Sequence, residues 1–277
     1  MSAVGYYSIE TLKFIKKWYL SLPLSSAVTV LTCVTLSIVN VARGSPDVGL
    51  CPNLILSSPL SNIYHLLTVP FLHSSIVTLL LNLLFFPPLN KMLETQRGTL
   101  HSMNFVVIVG IVTGLLYVLV VIPFWAVGIK VDWCIGGLNG LMYALMTVEA
   151  NQKAGVFKTR RIFGVPLPGA IYPWILLVLS KLFFTASPFF YNLAGILGGI
   201  LYHIGALKFF FIPDQALVYI ETSRALRWLE TWEAFVPTPS SVSLPTTTDD
   251  IGVEPRPSLV GRLRGVFSGG RGRYTGL

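Results

Sequence analysis

Charge is what this chain has least of. Only 12% of its 277 residues are Asp, Glu, Lys or Arg, and acidic residues number 12 in all. Average soluble domains carry about 25% charged residues, so a single water-soluble core is excluded. The chain has only four histidines and three cysteines. Cys33, Cys51 and Cys134 have no metal-ligand spacing and suggest no disulfide framework, so they are expected as small buried or interfacial residues. No metal and no cofactor is implied. A repeated unit, a midplane acidic residue and a matched pair of broken helices are also missing, which argues against a transporter or channel.

What the chain has instead is apolar length. Its hydrophobic fraction is 53% and its mean hydropathy is +0.69. Several runs approach the roughly 20 residues needed to cross a bilayer. The first run follows Lys13, Lys16 and Lys17. It is long, starts late and lacks a small-x-small cleavage site, so it reads as an uncleaved span and not as a secretory signal. Six spans are expected at 22–42, 66–88, 103–125, 134–150, 169–186 and 189–211. The second and fourth of these are short or interrupted.

Alternating the loops sorts the cations. One side collects Lys13, Lys16, Lys17, Lys91, Arg97, Lys153, Lys158, Arg160 and Arg161, while the other receives only Arg43, Lys130 and Lys181. The positive-inside rule then puts both termini in the cytosol. The net charge of +8 is explained by topology and anionic lipid, with no need for nucleic acid. The expected architecture is an all-α membrane bundle. It comprises a cytosolic segment 1–21, a transmembrane domain 22–211, a juxtamembrane helix 212–235 and a disordered cytosolic tail 236–277. In the third of these, Leu217, Ile220, Trp228, Trp232 and Phe235 fall near one face, with Asp214, Glu221, Arg224 and Arg227 elsewhere. That pattern suits a helix lying on the membrane surface.

Among the amides that interrupt the apolar spans are Asn82, Asn139 in GGLNG, and Asn192 in YNLAGILGG. A buried amide is costly in lipid unless it finds a partner. Gly195 and Gly199 share a helix face with Asn192, and Gly137 and Gly140 flank Asn139, so two thin-faced helices can approach closely there. The amides then serve either as interhelical glue or as a site.

The stretch SNIYHLLTVPFLHSSIVTLLLNLLFFPPLNKMLETQRGT resembles the first-loop and second-helix region of rhomboid intramembrane serine proteases, in particular their six-span fungal Golgi and endoplasmic reticulum branch. Leu67–Thr68, Pro70, His73, Asn82, Leu93–Glu94 and Gly98–Thr99 follow the layout of that region, and the resemblance covers about residues 24–235. It implies a polar cavity that admits a transmembrane substrate. The family's Gly-x-Ser-Gly nucleophile motif corresponds to Gly137-Leu138-Asn139-Gly140, and its His-x-x-Gly base motif to Asn192-Leu193-Ala194-Gly195. Asn82 takes the family's oxyanion position, and Thr78 replaces the histidine four residues before it.

An amide is neither a serine-like nucleophile nor a base at physiological pH. The resemblance therefore implies a pseudoprotease that holds transmembrane clients in Golgi or endoplasmic reticulum membranes. The alternative is an active intramembrane serine endopeptidase with relocated residues, for which His65, His73, Ser74 and Ser75 are the candidates; His203 lies too far along its helix. The tail residues Phe267, Gly269 and Gly272 are similar to the short box by which some rhomboid-like and derlin proteins recruit an AAA-type segregase ATPase, with the second glycine one residue late. A flexible basic tail drawn to anionic lipid is the other reading.

Overall fold

Three helices take up the longest apolar runs: α1 (Leu24–Arg43), α5 (Ile76–Arg97) and α6 (Thr99–Ala126). Each is long and apolar enough to cross a bilayer. The computed structural model describes residues 18–19, 21–43, 49–73, 75–129, 134–151, 159–162, 165–183, 188–224 and 226–239. Between α1 and α5 lie three short helices, α2 (Pro52–Ser57), α3 (Pro59–Asn62) and α4 (His65–Thr68). After α6 come α7 (Asn139–Asn151), a hairpin of β1 (Thr159–Ile162) and β2 (Val165–Pro168), α8 (Tyr172–Phe183), α9 (Phe189–His203) and α10 (Asp214–Thr222).

The antiparallel hairpin, which pairs Thr159 with Pro168 and Ile162 with Val165, departs from the all-α expectation. The mostly helical class holds. The chain is an integral membrane protein: among the described residues three helices are long and apolar enough to cross a bilayer, and α9–α10 form an apolar pair bent by 83°.

The expected span at 66–88 is displaced toward the C-terminus. Leu72 is extended (φ −93°, ψ 128°), and Ser75 starts the helix by accepting a hydrogen bond from the Val77 N–H at 3.3 Å. The helix then continues through Pro87 and Pro88 to Arg97. Proline inside a helix costs about 3 kcal/mol or more. Here the far half of α5 is anchored by buried polar groups. The Glu94 carboxylate accepts from Ser25 N (2.8 Å), Ser26 N (3.3 Å) and Thr99 Oγ1 (2.9 Å). Asn90 donates to Ser26 Oγ at 3.0 Å and accepts from Ser102 Oγ at 3.0 Å. Glu94 thereby satisfies two of the backbone N–H groups that the start of α1 leaves open.

One of the short helices, α7, is the most enclosed. Thirteen residues of α7 rise only about 20 Å, well short of a roughly 30 Å hydrocarbon core. Nine of them are buried, and α5, α6, α8 and α9 all pack around it. A side chain at Gly195 would meet the backbone of Gly140, and one at Gly199 would meet Ala144 O at 2.6 Å. The helices therefore touch backbone to backbone, in the same direction, as the glycine spacing predicts. By contrast, α5 leaves Ile76, Val77, Leu80 and Leu84 exposed, as a lipid-facing surface should.

The expected helix 189–211 ends at His203, where Gly205 takes a left-handed φ of 79° and Ala206 N closes back onto Leu201 O at 3.0 Å. The juxtamembrane helix is likewise cut short. Ser223 turns extended and its hydroxyl bonds back to Ile220 O at 2.7 Å, so α10 stops at Thr222 and a separate turn forms at Arg227–Thr231. Glu221, expected on the polar side, is buried: its carboxylate accepts from Thr238 N at 3.0 Å and Thr238 Oγ1 at 2.7 Å. Thr99 and Val236 exchange hydrogen bonds of 2.7 and 2.9 Å. Residues 236–239 are thus docked, not tail. The remainder of the tail, with Phe267, Gly269 and Gly272, lies outside the described residues.

Candidate functional site

The loop leading into α7 is pinned from three directions. First, Leu50 and Ile135 exchange both backbone hydrogen bonds, Leu50 N to Ile135 O at 2.7 Å and the reverse at 3.1 Å. That register places residue 51 opposite residue 134 as a close, non-hydrogen-bonded pair. Cys51 and Cys134 form a disulfide there, with Cα atoms 4.2 Å apart. This corrects the expectation of unpaired cysteines for two of the three; Cys33 is free and buried. The missed signal was that Cys51 lies in a loop, and Cys134 at the start of an expected span, on what the cation count had assigned as the same side.

Second, the two glycines slide over the turn before α5. A Cβ at Gly136 would lie 2.5 Å from Leu72 O, and Gly137 donates its N–H to Val69 O at 2.9 Å. Gly137 has φ 97°, a left-handed conformation that few other residues adopt without strain. A Cβ there would also meet His73 at 3.0 Å and Asn82 Nδ2 at 3.1 Å. Third, the fully buried Tyr191 donates its hydroxyl to Gly137 O at 3.3 Å and stacks edge-on against Tyr117.

His73 and Asn82 share a hydrogen bond of 2.9 Å between Nε2 and Nδ2. The imidazole Nδ1 lies 3.2 Å from Phe71 O, which can only accept. Nδ1 is therefore the protonated nitrogen, and Nε2 accepts from the Asn82 amide. Burial holds His73, which precedes the spanning helix, well below the ordinary imidazole range, at about 4, with the Phe71 contact partly offsetting it. The ring is thus neutral across the physiological range.

The place beside Asn82 belongs to His73 and not to Thr78. Thr78 is exposed on the first turn of α5, with its hydroxyl committed to Ser75 O at 2.8 Å. Ser75 is exposed and serves as the α5 cap; Ser74 lies outside the described residues. His65 is buried against Tyr64, with ring centroids 4.1 Å apart.

Asn139 is the first residue of α7 and is half-buried, whereas Asn192, on the first turn of α9, is buried. Because Gly140 abuts Gly195, both amides stand on the opening turns of two parallel, touching helices. They sit at the same end of the bundle as Gly137, His73 and Asn82. Gly140, Gly195 and Gly199 each face a neighbouring helix at close range, whereas Gly137 lies in the loop before α7 and faces His73 and Asn82. His203, the last residue of α9, is at the opposite end.

Comparison with known proteins puts this geometry in a family. The Rhomboid domain matches residues 60–209, which takes in Asn82, Asn139 and Asn192. Rhomboid-like protein 15 of Arabidopsis thaliana is 24% identical over 216 residues, covering 75% of this chain and 53% of its own length. Rhomboid-type serine protease 2 of Neurospora crassa is 30% identical over 166 residues, 58% of each chain. The protein of the same name from Eremothecium gossypii is 32% identical over 173 residues, 61% of each. The chain thus spans little more than half the length of these relatives. The domain itself takes in more than half of the 277 residues, and the chain belongs to the rhomboid family.

Proposed function

We propose that this rhomboid is a pseudoprotease, a membrane protein that holds transmembrane segments of client proteins without cutting them. The observation that carries the reading is the pair of amides on the opening turns of α7 and α9. Asn139 brings no hydroxyl to the position where the family motif has its serine, and Asn192 brings no base to the position of its histidine. Acyl transfer needs both. What remains is a buried polar cluster, His73 paired with Asn82 beside the Gly137 turn. An unwound client backbone at membrane depth needs hydrogen-bond partners of this kind.

In this reading α1, α5, α6, α7, α8 and α9 make six crossings, with both termini in the cytosol of Golgi or endoplasmic reticulum membranes. Two features support it. The parallel run of α7 and α9 is what crossings four and six require. The Cys51–Cys134 bond joins the two cation-poor loops, and disulfides persist on oxidising, non-cytosolic faces. The tail box at Phe267, Gly269 and Gly272 would deliver clients to an AAA-type segregase.

A second reading, an active intramembrane serine endopeptidase, is favoured by the printed names of the two fungal relatives. It requires a nucleophile that Asn139 does not supply. Photo-crosslinking of a client transmembrane segment to the full-length protein tests the first reading. Asn139→Leu with Asn192→Leu is expected to abolish capture, and undiminished capture by that variant would contradict it.

A further inference from the structure

At the end of the bundle away from Asn139, a cleft of about 490 Å³ opens between the start of α6, the ends of α5, α7 and α9, and the segment joining α9 to α10. Between Asn192 and His203, α9 rises about 16 Å, so this cleft is separate from the amide site. Arg97, His203 and Lys208 line it and are exposed. Neither the Arg97 guanidinium nor the Lys208 ammonium has an ion pair among the described residues. The one carboxylate in the lining, Asp214, is turned to His101, 3.5 Å from its Nδ1. His101 is buried with that nitrogen outside any hydrogen bond, while its Nε2 is paired with the Tyr202 hydroxyl at 2.9 Å. The cleft therefore presents more positive charge than it neutralises.

Its remaining wall is apolar, formed by Leu93, Val148 and Phe211. Next to Lys208, Phe209 and Phe210 are 95% and 69% exposed. These rings directly follow a buried spanning-type helix, at the bend where the chain leaves the bundle. Exposed aromatic rings at such a point belong in the headgroup and acyl boundary.

We infer that this cleft binds a membrane lipid with a phosphate monoester headgroup. The monoester phosphate sits between Arg97, His203 and Lys208, and the rest of the lipid runs outward along Leu93, Val148 and Phe211. Arginine and lysine suit this role for different reasons. The guanidinium fork can pair two phosphate oxygens, and the ammonium acts as a compact point charge. The apolar wall and the exposed Phe209 and Phe210 select a lipid over a free phosphate, which would gain nothing from them. This site does not depend on whether the amide end is catalytic.

The test is native mass spectrometry of the full-length protein in detergent, titrated with phosphatidylinositol 4-phosphate and, separately, phosphatidylcholine. The expected result is preferential retention of the phosphorylated lipid, falling by about tenfold or more in Arg97→Ala with Lys208→Ala, for two lost charge-assisted contacts. The charge-matched control Lys91→Ala with Arg224→Ala replaces exposed cations outside the cleft and is expected to bind as the unaltered protein does. All four side chains are exposed, and matching melting temperatures show that the variants fold. Equal retention of the two lipids, equal losses in the two double variants, or undiminished binding by the first would overturn the inference. Complete displacement of the lipid by an equal concentration of soluble inositol phosphate would assign the cleft to a free phosphate and overturn the lipid assignment.

Discussion

Asparagine does two different things at the two ends of this bundle. Near the turn between α5 and α6, Asn90 is completely enclosed. Its amide reaches Ser25 and Ser26 and its carbonyl accepts from Ser102, beside a Glu94 carboxylate that serves the start of α1. Every contact runs between long helices, so the cluster acts as a fastener. At the other end, Asn82 meets a histidine on a turn, and Asn139 and Asn192 open short helices beside a glycine loop pinned by a disulfide. Residue type alone does not separate fastener from site. What separates them is whether the polar group closes on the long helices or stands where short helices begin.

Breaking the fastener should have the largest effect. Glu94→Ala strands two helix-start N–H groups and the Thr99 hydroxyl in a buried place, and is expected to cost about 3–5 kcal/mol. Thermal unfolding in detergent checks this. Next comes the contact that holds the site together. Gly195→Ala drives a methyl into the Gly140 backbone and should cost about 3 kcal/mol, the upper range for overpacking, as well as client capture. A loss of about 2–4 kcal/mol is expected for Cys51→Ser. The double variant with Cys134→Ser should melt at the same temperature as the single, and a reductant should destabilise only the unaltered protein. Equal reductant sensitivity in the variant would show that the two loops are not bonded.

The smallest effect distinguishes the His73–Asn82 pair from mere packing. Burial keeps His73 neutral in the fold, so the unfolded chain takes up a proton at higher pH than the folded one. The contribution is fully present above about pH 6.5. It is lost as pH falls toward about 4. His73→Phe should flatten that decline, measured as the melting temperature across the same window. An unchanged slope would mean that His73 is solvated and not part of a buried pair with Asn82.

Much of this could be read from the sequence, and the failures have physical causes. The apolar runs placed α1 and α6 well, because long hydrophobic stretches leave few alternatives in a bilayer. The four-residue spacing of Gly195 and Gly199 foretold a backbone contact, since only glycine permits one. The start of α5 was misjudged because a serine cap, a local feature, outweighed hydropathy, and its end because Pro87 and Pro88 are tolerated when distant polar groups secure the turns beyond them. The Cys51–Cys134 pair depends on a bridge between residues 83 positions apart, which no local pattern reports. The family resemblance pointed to Thr78 as the neighbour of Asn82. The chain instead folds His73 back from the preceding turn.

Cleavage of a reporter transmembrane substrate by the purified full-length protein, beside a variant carrying Asn139→Ser and Asn192→His together, tests the central claim most directly. The pseudoprotease account predicts that the native chain is silent and that the variant gains measurable cleavage, because α7 and α9 already hold the two positions together. Cleavage by the native chain would contradict it.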